Sequence, residues 1–386
     1  MFESITIKQK SSDLSIGKLA ECLLFYDNVN LIVGREHLVK LFRECGINEI
    51  DELTQRGLNL YFETEYIVDM KKPNGSDIIQ IALGNGDMHY RIIYNAMEEF
   101  YENSVSQGKL RRKVVKFKNI SKQYIPDPDV LRELNFLSFN NNFPMKVLKK
   151  FLIEMGIGDV NNLIFEYKDQ GDGIYALYTN LNTDFLTNIS KLQGINFNFE
   201  PGQFLLSIAS ALAAIRFAAE KKSHIYTNLS RSLIISEKVR DLIQKTNLDI
   251  NTINKFQKYV FPQYKNIVDV IDSKEKTYSD LIKLLDKASK FKSWKREISS
   301  EKDFIEEYFK AISSENKWIT TLPAKIARFI ICEALGGVMD YFTQGSIIGT
   351  ISATTISVFD SFILDSMRKN WKPDQFVNGD MMKFLS

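Results

Sequence analysis

The hydrophobic pattern of this chain changes period at Pro201, and that change limits the folds open to it more than any other feature. Before Pro201, short apolar runs are separated by Gly, Pro, Asn and Asp; after it, apolar residues recur at helical spacing. The expected architecture is an α+β N-terminal domain over residues 1–200, followed by a mainly α-helical C-terminal domain. The latter divides into a helical part over 201–320 and a Gly-rich helical segment with a tail over 321–386.

In the first part, Leu38, Val39, Leu41 and Phe42 give a helix over 36–45 that stops at Gly46, a left-handed cap. Asn48 is expected to cap a second helix ending at Gly57. Leu58–Phe62, Tyr66–Val68 and Ile78–Leu83 read as strands, and Asp87 as the cap of a helix over 88–103. Asp127 with Pro128 marks another helix start, and Pro144–Met155 a further helix closed by Gly156. Leu163–Tyr167 and Ile174–Tyr178 flank a Gly-rich turn and form the clearest hairpin signal. Strands and helices do not alternate regularly along this stretch, which argues against a doubly wound sheet.

In the second part, Gln203–Ala219 is apolar on every face. Only 15 uncharged residues lie between Glu200 and Arg216, short for a membrane span, so a buried central helix is expected. Thr277 with Asp280 and Ser300 with Asp303 have capping-box spacing. Each opens an amphipathic helix: Tyr278, Leu281, Ile282, Leu285 and Ala288 form one stripe, and Phe304, Ile305, Tyr308 and Phe309 begin another.

The net charge is only +2, from 50 Lys and Arg against 48 Asp and Glu, so any electrostatic function has to be local. Residues 1–108 carry 10 basic and 17 acidic side chains, a net −7, which leaves +9 for the rest. Lys109, Arg111, Arg112, Lys113, Lys116, Lys118 and Lys122 fall in one stretch without an acid. Val115–Lys118 alternates like a strand, which would place Lys116 and Lys118 on one face. Arg111, Arg112, Lys113, Lys116 and Lys118 are therefore candidate ligand-binding residues for an oligonucleotide or nucleotide, with Phe117 and Tyr124 as stacking surfaces. The alternative is a solvated basic segment pairing with the acidic N-terminal part.

No catalytic motif accompanies this patch. Three Cys and three His are too far apart for a zinc site or a disulfide framework, and neither metal nor cofactor is expected. Gly84-Asn85-Gly86-Asp87 lacks the third glycine of a dinucleotide fingerprint and the Gly-Lys-Ser/Thr of a phosphate loop. Gly173-Ile174-Tyr175 serves as a strand start, and Asp127-Pro128-Asp129 as a cap. A non-enzymatic protein of the reducing cytoplasm is expected, since charges scattered through the first 30 residues leave no secretory h-region.

Between Asp340 and Asp360, 19 residues carry no formal charge, about the length of a bilayer-crossing helix. Eight Ser, Thr and Gln make this run too polar for a constitutive anchor. Gly345, Gly349, Ala353 and Ser357 recur at i, i+4 and give one smooth face for close helix packing. With Ile326–Val338 upstream, two apolar Gly-containing helices form a hairpin able to pack in a soluble fold or to insert after a trigger. Core packing in a soluble helical domain fits the same residues.

The C-terminal string Trp318, Leu322-Pro323-Ala324-Lys325, Arg328-Phe329, Gly336-Gly337, Gly345–Ala353, Asp360–Asp365 and Trp371–Phe376 resembles the tail of bacterial defence-island proteins. It is most similar to the membrane-effector subunit of two-gene anti-phage systems of the Hailong type. The resemblance implies a pore-forming effector restrained by an oligonucleotide that a nucleotidyltransferase partner makes. It further implies a cytoplasmic protein that inserts into the inner membrane on activation, with homo-oligomerisation through the Gly345, Gly349, Ala353 and Ser357 face. A soluble nucleic-acid-binding or oligomeric scaffold protein without membrane activity is the alternative.

Overall fold

In the computed structural model, the description covers residues 4–127 apart from 10, 64, 72–76, 84–87 and 103, then 142–154, 162–180 apart from 171–173, and 201–228. It also covers positions within 129–140, 231–241 and 272–286 and the strand residues 259–260, 330–331 and 375–378. The elements in chain order are β1 (Ser4–Ile7), α1 (Ile16–Phe25), β2 (Asn28–Ile32), α2 (Arg35–Glu44), α3 (Ile47–Thr54), β3 (Leu58–Glu63), β4 (Glu65–Lys71) and β5 (Asp77–Leu83). Next come α4 (Met88–Tyr101), α5 (Gln107–Asn119), β6 (Ser121–Tyr124), α6 (Asn142–Glu154), β7 (Phe165–Asp169) and β8 (Ile174–Thr179). Then follow α7 (Pro201–Lys221), β9 (His224–Asn228), β10 (Tyr259–Val260), β11 (Ile330–Ile331) and β12 (Gln375–Asn378).

The N-terminal region mixes helices and strands, as expected, but its main sheet is parallel. Six strands run in the order β12-β9-β1-β2-β3-β6, and every neighbouring pair is parallel. The regular strand–helix alternation of such a sheet is interrupted in the sequence because an antiparallel sheet, β4-β5-β8-β7, is threaded through the same stretch. The β4–β5 hairpin lies between β3 and β6 in sequence and hides the strand–helix alternation. The boundary expected at residue 200 also falls inside this unit, because β9 and β12 join the sheet of β1.

Strand order explains where the helices lie. From β1 the sheet grows through β2 and β3 to β6, and residues of α1 to α5 share one apolar core with Ile5, Ile7, Leu31, Leu60 and Phe62. The chain then crosses to the other side of β1 to add β9. With a fixed crossover hand, that reversal sends the connecting helix, α7, to the opposite face. Phe217 of α7 packs there against Ile32, Tyr61 and Tyr124. Farther toward its N-terminus, α7 sets Phe204 and Leu205 against Phe165, Tyr167 and Leu177 of the antiparallel sheet. Of the described helices, only α7 is long and apolar enough to cross a membrane, yet it serves as the core helix between two sheets.

Several local expectations hold: α2, α4, α6, the β7–β8 hairpin, and the stripe of Tyr278, Leu281, Ile282 and Leu285, which packs on the α1–α5 core. Gly46 has φ +95° but also serves as N-cap of α3, so Asn48 sits inside that helix rather than capping it. Gly57 has φ +105°, and an added Cβ would collide with the Asp27 carbonyl, so this turn into β3 requires glycine. Asp127 Oδ1 accepts the Asp129 amide at 2.9 Å, as a cap does. Ile330 and Ile331 pair antiparallel with β10, so helix over Ile326–Val338 gives way at these two β-branched residues to strand. The 19-residue uncharged run, including Gly345, Gly349, Ala353 and Ser357, lies outside the described residues, as does the stripe beginning at Phe304.

Candidate functional site

The basic segment is helical. Residues 107–119 form α5, and the expected strand over Val115–Lys118 is overturned by burial of Leu110, Val114 and Phe117, an i, i+4, i+7 stripe on the core. Lys116 and Lys118 then point about 200° apart around the axis instead of sharing a face. Arg111, Arg112, Lys113, Lys116 and Lys118 are all exposed. Lys113 Nζ lies 5.2 Å from the Tyr101 ring centre, and Lys116 Nζ is 3.7 Å from Asp51 of the acidic N-terminal part. Phe117 is buried in the core and Tyr124 beneath α7, so neither offers a stacking surface for a base.

A second group of cations lies along the carboxyl edge of the parallel sheet, near where its strand order reverses. β1 is flanked by β2 on one side and β9 on the other, and in open parallel sheets the crevice beyond the carboxyl ends at such a switch point is the usual ligand site. The last registered pair between β1 and β9 is Ile7 with Tyr226, so Lys8 and Thr227 are the next adjacent positions. By alternation they share the face of Thr6 and Ile225, the α7 side. Lys8 reaches across the end of β2 to pair with Glu63, the last residue of β3. From α7, Arg216 Nη2 donates to the other Glu63 oxygen at 3.3 Å, and its guanidinium lies 5.5 Å from the Tyr124 ring centre. Arg231, beyond β9, donates from Nη1 to the Lys8 carbonyl at 2.6 Å.

Burial sets the electrostatics of this cluster. Arg216 is 1% exposed and Arg231 7%. Burial alone would raise the Glu63 carboxyl, but the adjacent Lys8 and Arg216 outweigh it and hold Glu63 below the ordinary carboxylate range. His37 completes the rim: its Nδ1 accepts the Gly34 amide at 3.2 Å, so Nε2 carries the proton and donates to the Gln9 carbonyl at 2.9 Å. Burial lowers the His37 pKa most strongly, with Arg231 and Lys8 adding to that effect, so the imidazole is held neutral between the loops that follow β1 and β2. Thr227 is 1% exposed, and its Oγ1 has no hydrogen-bond partner among the described residues. On the same face, Tyr61, Tyr124 and Phe217 pack edge to face at 4.7–4.9 Å and form a dry aromatic wall.

One Ser–His pair invites a catalytic reading, and its polarity argues against it. His89 Nε2 and Ser121 Oγ are 2.8 Å apart, but the single Ser121 hydroxyl proton already serves the Phe117 and Lys118 carbonyls, each at 3.2 Å. The tautomer in which His89 Nε2 donates to Ser121 Oγ accommodates all three contacts, and in it Nε2 has no lone pair to take a serine proton. Burial, with help from Lys118, pushes His89 down to about 4. The pair ties the end of α5 to α4. Burial, then Glu49 and Glu44, pushes the Cys45 thiol up to about 12, far from a reactive thiolate. Among the described residues, no group of three or more His, Cys, Asp or Glu could hold a metal ion.

No protein-family model matches this chain, and neither a curated protein nor a solved structure was found to match it. The switch-point residues escaped sequence reasoning because they are scattered: Lys8 meets a partner 223 positions away, and Glu63 one 153 positions away. The available signal was Arg216, the one charged residue between Pro201 and Ala219.

Proposed function

We propose that this chain is a ligand-controlled effector of anti-phage defence, in which the parallel-sheet unit holds a phosphate-bearing nucleotide or oligonucleotide and so governs a membrane-disrupting C-terminal segment. The observation that carries the ligand half is the placement of Lys8, Arg216 and Arg231 along the carboxyl edge of a parallel sheet, beside its switch point. Buried cations of this kind favour a compact anion over a long polyanionic strand, and the dry wall beside them limits competing water. The effector half is supported by the C-terminal resemblance and by the small-residue face of Gly345, Gly349, Ala353 and Ser357, through which homo-oligomers enclose an aqueous path.

Control operates by population shift. A ligand that binds the soluble state more tightly than the inserted one holds residues 326–363 back, and its loss releases them toward the inner membrane. A nucleotidyltransferase partner is the source of the ligand in this scheme. The exposed cations of α5 favour a second reading, a soluble nucleic-acid-binding protein without membrane activity.

The test is dye release from anionic liposomes by the full-length chain, with and without mononucleotides or short oligonucleotides whose binding is titrated in parallel. Saturable binding together with ligand-suppressed leakage is expected. Binding only to long nucleic acid, with no leakage after nuclease treatment, would establish the soluble reading instead.

A further inference from the structure

We infer that Glu63 is an internal stand-in for the ligand's anionic group, so that Lys8 and Arg216 form an oxyanion subsite already filled by the protein's own carboxylate. This deepens the switch-point reading and depends on it for the identity of the ligand. Three observations carry it. The Glu63 carboxylate engages Lys8 with one oxygen and Arg216 with the other, so one carboxylate group bridges cations from β1 and α7. Both donors suit a tetrahedral oxyanion, which offers more charge and a third acceptor oxygen than a carboxylate does. The bridge also lies on the face of Tyr61, Tyr124 and Phe217, where burial limits competing water around the two cations.

The placement of Glu63 suits exchange. It is the last residue of β3, at the carboxyl edge where the sheet opens, two strands away from β1. A phosphate arriving there takes over Lys8 and Arg216, and the displaced carboxylate moves outward with the chain that follows β3. Since that chain leads directly into β4, ligand occupancy at the parallel sheet is passed to the antiparallel sheet through the Glu63 backbone.

The experiment uses the full-length chain and inorganic pyrophosphate as the probe, with a mononucleotide panel and short oligonucleotides as separate arms, read by calorimetry. Glu63→Gln removes the competing charge and is expected to tighten pyrophosphate binding at least tenfold. Lys8→Met is expected to weaken it at least tenfold. If Glu63→Gln folds poorly, Glu63→Asp withdraws the carboxylate by one methylene and is expected to tighten binding more modestly. Nucleotide binding that is unchanged in Glu63→Gln and Glu63→Asp would overturn the stand-in role while leaving the ligand-controlled effector intact. Tighter pyrophosphate binding in Glu63→Gln with no nucleotide bound by any variant would support the subsite and sink the nucleotide reading.

Discussion

The cations of α5 and those of the switch point differ in every respect except charge. On α5, Arg111, Arg112, Lys113, Lys116 and Lys118 crowd into eight residues of sequence, yet they radiate from an exposed helix. At the switch point, Lys8, Arg216 and Arg231 are far apart in sequence, yet they meet around one edge of a sheet. Density of charge in sequence therefore measures little by itself. A cation becomes a recognition element when the fold desolvates it and aims it at a shared point, whereas an exposed one is screened within about 10 Å at 0.1 M salt.

The largest expected effect breaks the buried set. Arg216→Met leaves Glu63 without its α7 partner in a dry site and should cost about 3–5 kcal/mol of stability in urea denaturation. The same change at Arg112 should fall within about 0.5 kcal/mol of wild type. Equal costs at both positions would erase the distinction between the two groups.

Acid pH sharpens the comparison next. His89 is held neutral down to about 4 by burial and by Lys118 of α5, whereas the unfolded chain takes up a proton near 6.5. Its folded pKa is depressed, so the stability it permits is intact above about pH 6.5 and is lost as the pH falls toward 4. The expected loss is about 3 kcal/mol across that window. His37, also lowered, adds a loss of the same sign. Denaturation midpoints at several pH values should flatten in His89→Gln, and Lys118→Ala should shift the acid limb slightly downward in pH. A wild-type stability that is level from pH 7 to pH 4.5 would contradict the buried neutral imidazoles.

The smallest expected effect concerns α5 itself. Replacing Arg111, Arg112, Lys113, Lys116 and Lys118 together by Gln should leave mononucleotide affinity within about twofold, since none of them faces the switch point. Loss of the 3.7 Å Lys116–Asp51 pair should cost less than about 0.5 kcal/mol. A drop in affinity of more than tenfold, with a smaller salt slope, would return the ligand site to this helix.

Elements set by local pattern were legible in the sequence. Leu58–Phe62 became β3, the hairpin around Gly173 paired as expected, and the run from Gln203 became a core helix. The α5 segment misled because Val115, Lys116, Phe117 and Lys118 satisfy an alternating pattern over a few residues. The longer i, i+4, i+7 stripe of Leu110, Val114 and Phe117 decides its state. The parallel sheet was not legible because its pairings join residues 4–7, 224–228 and 375–378, and no periodicity reports such distant neighbours. The site shared that fate, since Lys8, Glu63 and Arg216 become a group only through the strand order.

The central claim, that the anionic ligand sits at the switch point, is tested most directly by hydrogen exchange on the full-length chain with and without a saturating mononucleotide. The account predicts new protection at the carboxyl ends of β1 and β9, around residues 8–15 and 226–231, with α5 unchanged. Protection confined to residues 107–119, with no change at those two strand ends, would contradict it.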